Sequence, residues 1–268
     1  MAVAATGFGQ SPSAVEIVRK SVAVDNRHEE LRRDYTYDVV SQLRDLDDAG
    51  RVKKTSSTRT EVVSMGPRRL RLLVERDGKP LAAAEARKEK ERYEKAAQEV
   101  ARMSVAEKQK RIAEQRRQDA AQREKFQHIP DAFQFTLLGE QVINGRPAWQ
   151  IRAVPLRSYS GPWAFILRNV EATIWIDKAD SAWVRAEADT LDTISFGWFV
   201  ARIGKGTRMT FESTKVNDEI WAPSKASLRA NARIALVKAL RVDQELSFTR
   251  YRKFQADSRI VSIEEVEK

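Results

Sequence analysis

From residue 133 to residue 254, strand-length runs alternate with turn signals so short that each run can only fold back on the one before it. Asn144-Gly145 is the plainest of these signals. Both residues tolerate the positive φ of a two-residue hairpin, and the flanking runs 133–143 and 148–156 supply Phe, Leu, Val, Ile and Trp. The pattern repeats around Lys178-Ala179-Asp180, between runs 170–177 and 182–191, and around Asn217-Asp218, between runs 206–216 and 219–230. Runs 233–241 and 244–254 complete the series, while 35–46, 51–64 and 68–76 precede it, separated by Asp47-Asp48-Ala49-Gly50 and Gly66-Pro67. Roughly ten or eleven strands joined in this way predict one meandering antiparallel sheet. A sheet of that size must curl, split or close.

The stretch from Leu81 to Gln127 differs in kind. It has no Gly and no Pro, and Ala, Glu, Lys, Arg and Gln dominate it, all good helix formers. Ser104-Val105-Ala106-Glu107 has the form of a capping box, so two helices are predicted, about 82–102 and 105–127. Their apolar stripes are sparse: Leu81, Tyr93, Val100 and Met103 in the first, Val105, Ile112 and Phe126 in the second. Mostly solvated faces follow. Ser13 is placed to cap a further helix over about 14–24, with Ala14, Val15, Ile17, Val18 and Val22 at helical spacing. Helices beside an antiparallel sheet define an α+β protein. The expected organisation is a segment 1–12 outside the fold and one domain, 13–268, carrying a helical insertion at 81–128. The uncharged, small-residue start (Met1 to Gln10, then Ser11-Pro12) reads as a signal-peptide remnant or a disordered tail.

Chemistry is mostly excluded. The chain lacks cysteine, which removes disulfides, thiolate catalysis and cysteine metal sites. It has two histidines, His28 and His128, both in charged surroundings, too few for a multi-histidine site. No serine-nucleophile elbow, HExxH or P-loop is present, and Gly204-Lys205-Gly206-Thr207 reads as a tight turn. Arg185, Glu187 and Asp189 alternate with Val184, Ala186 and Ala188, as on the wet and dry faces of a half-buried strand. No enzyme activity, cofactor or metal is expected. A net charge of +10 favours anionic partners without choosing among them.

The hairpin Leu137-Leu138-Gly139-Glu140 to Asn144-Gly145-Arg146-Pro147, then Trp175-Ile176-Asp177-Lys178, Asn217-Asp218-Glu219-Ile220-Trp221-Ala222-Pro223-Ser224 and Tyr251-Arg252-Lys253-Phe254, resemble the LolA-like superfamily of periplasmic carriers, among them outer-membrane lipoprotein-sorting proteins, LolB, RseB and LppX-type lipoproteins. The resemblance spans about 13–255 and rests on hairpin corners. It implies a strongly curved antiparallel sheet, an unclosed β-barrel whose concave face is covered by helices. A long helical-hairpin insertion, 81–127, departs from that pattern. It also implies export to the bacterial periplasm and a lipid or acylated lipoprotein as ligand, with acyl chains buried between sheet and helices. The alternative is an envelope interaction or sensor module whose helical insertion binds a protein partner.

Two groups of residues are candidates on this reading. Trp163, Phe165, Phe196, Trp198 and Phe199 lie in a ring-rich stretch that breaks strand alternation at Gly197, which suits either core filling or the lining of an acyl-chain cavity. Residues 51–76 net +6, and Lys53, Lys54, Arg69 and Arg71 are candidates for an anionic headgroup or membrane surface, against the plainer reading of solvated strand charges. Nucleic acid is not expected, because no aromatic residue is interleaved with these basic ones.

Overall fold

A computed structural model of the chain describes residues 12–196, 201–234 and 238–254. The proposed signal-peptide remnant, apart from Pro12, lies outside them, as do Trp198 and Phe199. Thirteen strands form one antiparallel sheet: β1 (Tyr35–Leu46), β2 (Val52–Ser64), β3 (Arg69–Arg76), β4 (Lys79–Pro80), β5 (Phe133–Ile143), β6 (Arg146–Pro155), β7 (Val170–Asp177), β8 (Trp183–Thr190), β9 (Ile194–Phe196), β10 (Ala201–Ile203), β11 (Arg208–Val216), β12 (Ile220–Ile234) and β13 (Lys238–Lys253). Their order is β4-β3-β2-β1-β13-β12-β11-β8-β7-β6-β5, with β10 on β12 and β9 on β10. The end strands β4 and β5 do not pair with each other, so the sheet is unclosed, and the α+β expectation is borne out.

The turn chemistry behaves as the sequence requires. Asn144 and Gly145 both hold positive φ, 50° and 78°, as do Asn217 and Asp218, 53° and 54°. One stretch differs. The runs 219–230, 233–241 and 244–254 become two long strands rather than three. Asp243, which falls between the runs 233–241 and 244–254, sits mid-strand, paired with Arg229 at 3.0 Å and Arg44 at 3.8 Å. A salt-bridged aspartate on a wet face is compatible with a strand interior.

The register sorts the sheet into two chemically opposite faces. Cross-strand neighbours run Ser41, Leu246, Ala226, Phe211, Ala186, Ile174, Ile151, Leu137, a nearly apolar row across eight strands. On the other face the row is Arg44, Asp243, Arg229, Arg208, Asp189. Because side chains alternate along a strand, the two sets cannot mix.

Among the described residues five helices accompany the sheet: α1 (Ala14–Arg32), α2 (Ala83–Arg102), α3 (Val105–Gln127), α4 (Ile129–Ala132) and α5 (Ala164–Leu167). A capping box between Ser13 and Glu16 starts α1. This helix outlasts its apolar stripe, because Arg32 pairs with Glu29 at 2.6 Å and Asp25 at 3.2 Å and so supports a polar second half. Ile17, Val18 and Val22 pack on Ile151, Ile174 and Ile176, so α1 covers one end of the apolar row.

The insertion divides between the faces. The capping box at Ser104 is present and separates α2 from α3 as expected. Tyr93, Ala96, Ala97 and Val100 of α2 pack on Val63, Met65, Leu70 and Leu72. Val63 shares its face with Glu61, which faces Asp38, and Asp38 is three residues from Ser41. Thus α2 sits opposite α1. In contrast, α3 passes to the α1 side, where Asp119 pairs with Arg33 and Arg123 donates to the Asn26 carbonyl.

The hairpin corners that carry the family resemblance meet in space. Arg146 Nε donates to the buried Asp177 carboxylate at 2.6 Å, another of its nitrogens reaches Asp180 at 3.0 Å, and its guanidinium lies 5.5 Å from the Trp221 ring. Trp221 Nε1 closes the set by donating to Asp180 at 3.0 Å. These groups satisfy one another, which explains why the corners speak for fold and not for chemistry.

Candidate functional site

Beside the second half of α1 the apolar row continues past Ile151 and Ile174 toward β8, β11 and β12. A cavity of about 520 Å³ opens there, within the size range of small-molecule sites. Its floor is sheet: Trp183 and Ala186 from β8, Phe211 from β11 and Pro223 from β12. Val22 of α1 and Phe126 of α3 form the apolar walls. The rim is charged, with Asp25 and Glu29 on one side and Asp119 and Arg123 on the other, and the largely buried Arg32 also lines the cavity. Such an amphipathic division accepts a molecule with an apolar body and a polar end.

The surroundings hold this geometry. Trp183 Nε1 donates to Ser21 Oγ at 2.7 Å, and Ser21, fully buried, donates to the Val18 carbonyl at 2.7 Å. The indole is thereby oriented with its only polar atom satisfied. Burial alone would lower the pKa of Arg32, but Glu29 and Asp25 outweigh that and raise it. Its guanidinium also donates to the Trp221 carbonyl at 2.7 Å. His28, part-buried within α1, accepts the Trp221 amide proton on Nδ1 at 3.3 Å, and burial followed by the charge of Arg32 lowers its pKa. Its role is structural.

The covering helix α3 is attached differently from α1. Val105 is 73% exposed and Phe126 46% exposed, in keeping with the mostly solvated faces that its sparse apolar residues predict. Its attachments are polar: the Arg33–Asp119 pair, the Arg33 bond to the Gln115 carbonyl at 3.3 Å and the Arg123 bond to the Asn26 carbonyl at 3.4 Å.

Of the ring candidates, Trp163, Phe165 and Phe196 do come together. Trp163 lies 6.1 Å from Phe165, which meets Phe196 edge-on at 5.7 Å. They do not line the cavity, however. They form a separate cluster where α5 meets β9, with Trp163 and Phe165 exposed. Trp198 and Phe199 lie outside the described residues. The basic candidates do not form one patch. Lys53 and Lys54 are exposed at the start of β2, whereas Arg69 and Arg71 pair with its far end, opposite Ser64 and Val62. Roughly 30 Å of strand separates the two pairs. Arg71 is exposed, and Arg69 donates to the Arg32 carbonyl at 3.1 Å.

The cavity floor was not among the sequence candidates. Its signal lies in alternation: Ala186 and Phe211 occupy the dry face of strands whose other face carries Arg185, Glu187 and Glu212. Among the described residues no cluster of three or more His, Asp or Glu is placed to hold a metal, and no helix is long and apolar enough to cross a membrane.

No family model and no curated protein matches the sequence. Among solved structures, the chain is similar to a domain from Vibrio parahaemolyticus described as outer membrane lipoprotein-sorting, at 10% identity, covering 93% of this chain and 98% of that one with a TM-score of 0.37. It is similar at 10% identity to a LolA superfamily protein from Nitrosomonas europaea, with coverage of 91% and 95% and a TM-score of 0.33. It is also similar at 9% identity to a structure of the MucA/MucB complex from Pseudomonas aeruginosa, with coverage of 86% and 94% and a TM-score of 0.22. The fold assignment stands on the strand order and the two faces of the sheet, independently of these likenesses.

Proposed function

We propose that this protein is a periplasmic lipid- or lipoprotein-binding carrier, not an enzyme, which holds acyl chains in the cavity between the apolar sheet face and helices α1 and α3. The observation that carries this reading is the apolar row itself. It is buried under α1 at Ile151 and Ile174 and continues as cavity floor at Ala186 and Phe211. An apolar surface of this kind gains free energy when a hydrocarbon chain displaces its water, about 0.8 kcal/mol for each methylene buried. The charged rim keeps a polar headgroup at the solvent side. Native mass spectrometry of protein recovered from a bacterial envelope tests the reading. A bound phospholipid or acylated peptide supports it, and an apo mass under conditions that preserve other lipid complexes contradicts it.

A second reading, an envelope module that binds a protein partner, is favoured by the cluster of Trp163, Phe165 and Phe196. Two of these rings are exposed outside the cavity, and rings of this type anchor protein interfaces. The readings are compatible, since a carrier must meet a donor and an acceptor.

A further inference from the structure

A smaller cavity of about 210 Å³ lies on the other side of the Arg33–Asp119 pair. Three arginines from three elements line it: Arg33 just past α1, Arg69 at the start of β3 and Arg116 on α3. Guanidinium groups repel one another, and converging them has a cost unless an anion shares the space. The acids nearby do not discharge all three. Asp119 is engaged by Arg33, while Glu30 and Asp34 are exposed and make no ion pair among the described residues. Arg69 uses one nitrogen on the Arg32 carbonyl, and Arg116 makes no ion pair among the described residues. Arg33 Nε is buried with no hydrogen-bond partner. A buried N–H of this kind is costly to leave unmade. Burial, then the charges of Arg123, Arg69 and Arg116, lower the Arg33 pKa, consistent with an uncompensated cluster.

The size of the hollow narrows the ligand. It is smaller than a drug-sized pocket, on the scale of ~300–1,000 Å³, and suits one tetrahedral anion with its ester oxygens. Arginine forks match phosphate oxygens in pairs. The hollow also adjoins the larger cavity. Arg32 and Arg33 are consecutive, and Asp119 on the larger cavity is one helical turn from Gln115 on the smaller.

We propose that Arg33, Arg69 and Arg116 form a binding site for the phosphate of an amphipathic ligand whose chains occupy the larger cavity. Arg69 and Arg116 supply donors to the phosphate oxygens, and Arg33 supplies positive charge from below. The proposal deepens the carrier reading and rests on it for the chains. The phosphate could be that of a phospholipid or free phosphate, and the test separates the two.

Binding is measured by titration calorimetry on the full chain with three probes: dihexanoyl phosphatidic acid below its micelle concentration, the neutral dihexanoylglycerol, and inorganic phosphate. The proteins are the parent, Arg116→Gln and Arg69→Gln, each checked for an unchanged melting midpoint. Arg116 is exposed, so its replacement leaves the fold intact. The parent is expected to bind the phosphatidic acid at least about tenfold more tightly than the neutral lipid. Each variant loses that preference and keeps its affinity for the neutral lipid. Equal affinity of the parent for both lipids overturns the phosphate site and leaves the acyl cavity standing. A preference that survives both substitutions overturns it too. Arginine-dependent binding of inorganic phosphate, with neither lipid bound, supports the anion site and overturns the acyl reading. Binding of none of the three probes overturns both.

Discussion

Filling the cavity floor should weaken chain binding at little cost to the fold. Ala186 sits between Trp183 and Phe211 on the floor, and its side chain is half-buried with cavity above it. Ala186→Phe would place a ring in space that a ligand otherwise uses. If that ring removes three methylene contacts at about 0.8 kcal/mol each, binding weakens by about 2.4 kcal/mol, roughly sixty-fold in Kd. An enlarged side chain in a packed core costs ~1–3 kcal/mol through strain, but one directed into a cavity avoids that strain, so the urea midpoint should move by less than about 1 kcal/mol equivalent. The control is Glu187→Phe, one residue on and on the opposite face, which should leave binding unchanged. Displacement of a fluorescent fatty acid measures affinity, and urea unfolding measures stability. A folded Ala186→Phe protein that binds as the parent does would show that chains do not lie on this floor. Collapse of the fold would show that the space is not open.

Five further outcomes follow from the packing. Ile151→Ala, beneath α1, should destabilise by about 2–5 kcal/mol in urea titrations, because Ile151 is fully buried against Val18 and its neighbours. Ala96→Glu should unfold or severely destabilise the protein by thermal melting, since it buries a carboxylate against Leu72, whereas replacing 105–127 by a Gly/Ser linker of equal length should preserve the β-type circular dichroism, because α3 contributes no buried residue among those described. Ser104→Ala should cost about 1 kcal/mol of local helix stability, read by hydrogen exchange in the first turn of α3. Finally, the lowered pKa of His28 means that the unfolded chain takes up its proton first as pH falls, so stability is complete above the ordinary histidine value and is lost on acidification toward the folded value. Urea midpoints at pH 7.5 and 5.0 should therefore differ less in His28→Gln than in the parent.

Much of the fold was legible because local chemistry and global register agree. Asn144-Gly145 forms the turn its residues favour, and the alternation of Arg185, Glu187 and Asp189 with Ala186 and Ala188 marked the wet and dry faces that the register displays. The apolar stripe of Tyr93 and Val100 likewise marked the buried seam of α2. Sequence spacing could not say which face that seam would meet. The face is set by the pairing of β2 with β3, whose partners are joined across the turn at Gly66-Pro67. The candidate site was less legible for a related reason. Phe211 and Ala186 are ordinary strand residues, and they become cavity floor only because β11 pairs with β8 across seventeen intervening residues that carry β9 and β10. Trp163, Phe165 and Phe196 drew notice through their density, yet α5 and β9 hold them in a cluster of their own. Arg33 gave no local signal, since its role depends on α3 returning to the end of α1.

The most direct test of the account is the dependence of affinity on chain length. Saturated fatty acids lengthened two carbons at a time, titrated into the full chain below their micelle concentrations, should bind about fourfold more tightly per added methylene, the equivalent of about 0.8 kcal/mol. The gain should stop once the chain outgrows the 520 Å³ cavity, and in Ala186→Phe it should stop several carbons earlier. Affinity that does not change with chain length, or that changes identically in the two proteins, would contradict burial of acyl chains against this face of the sheet.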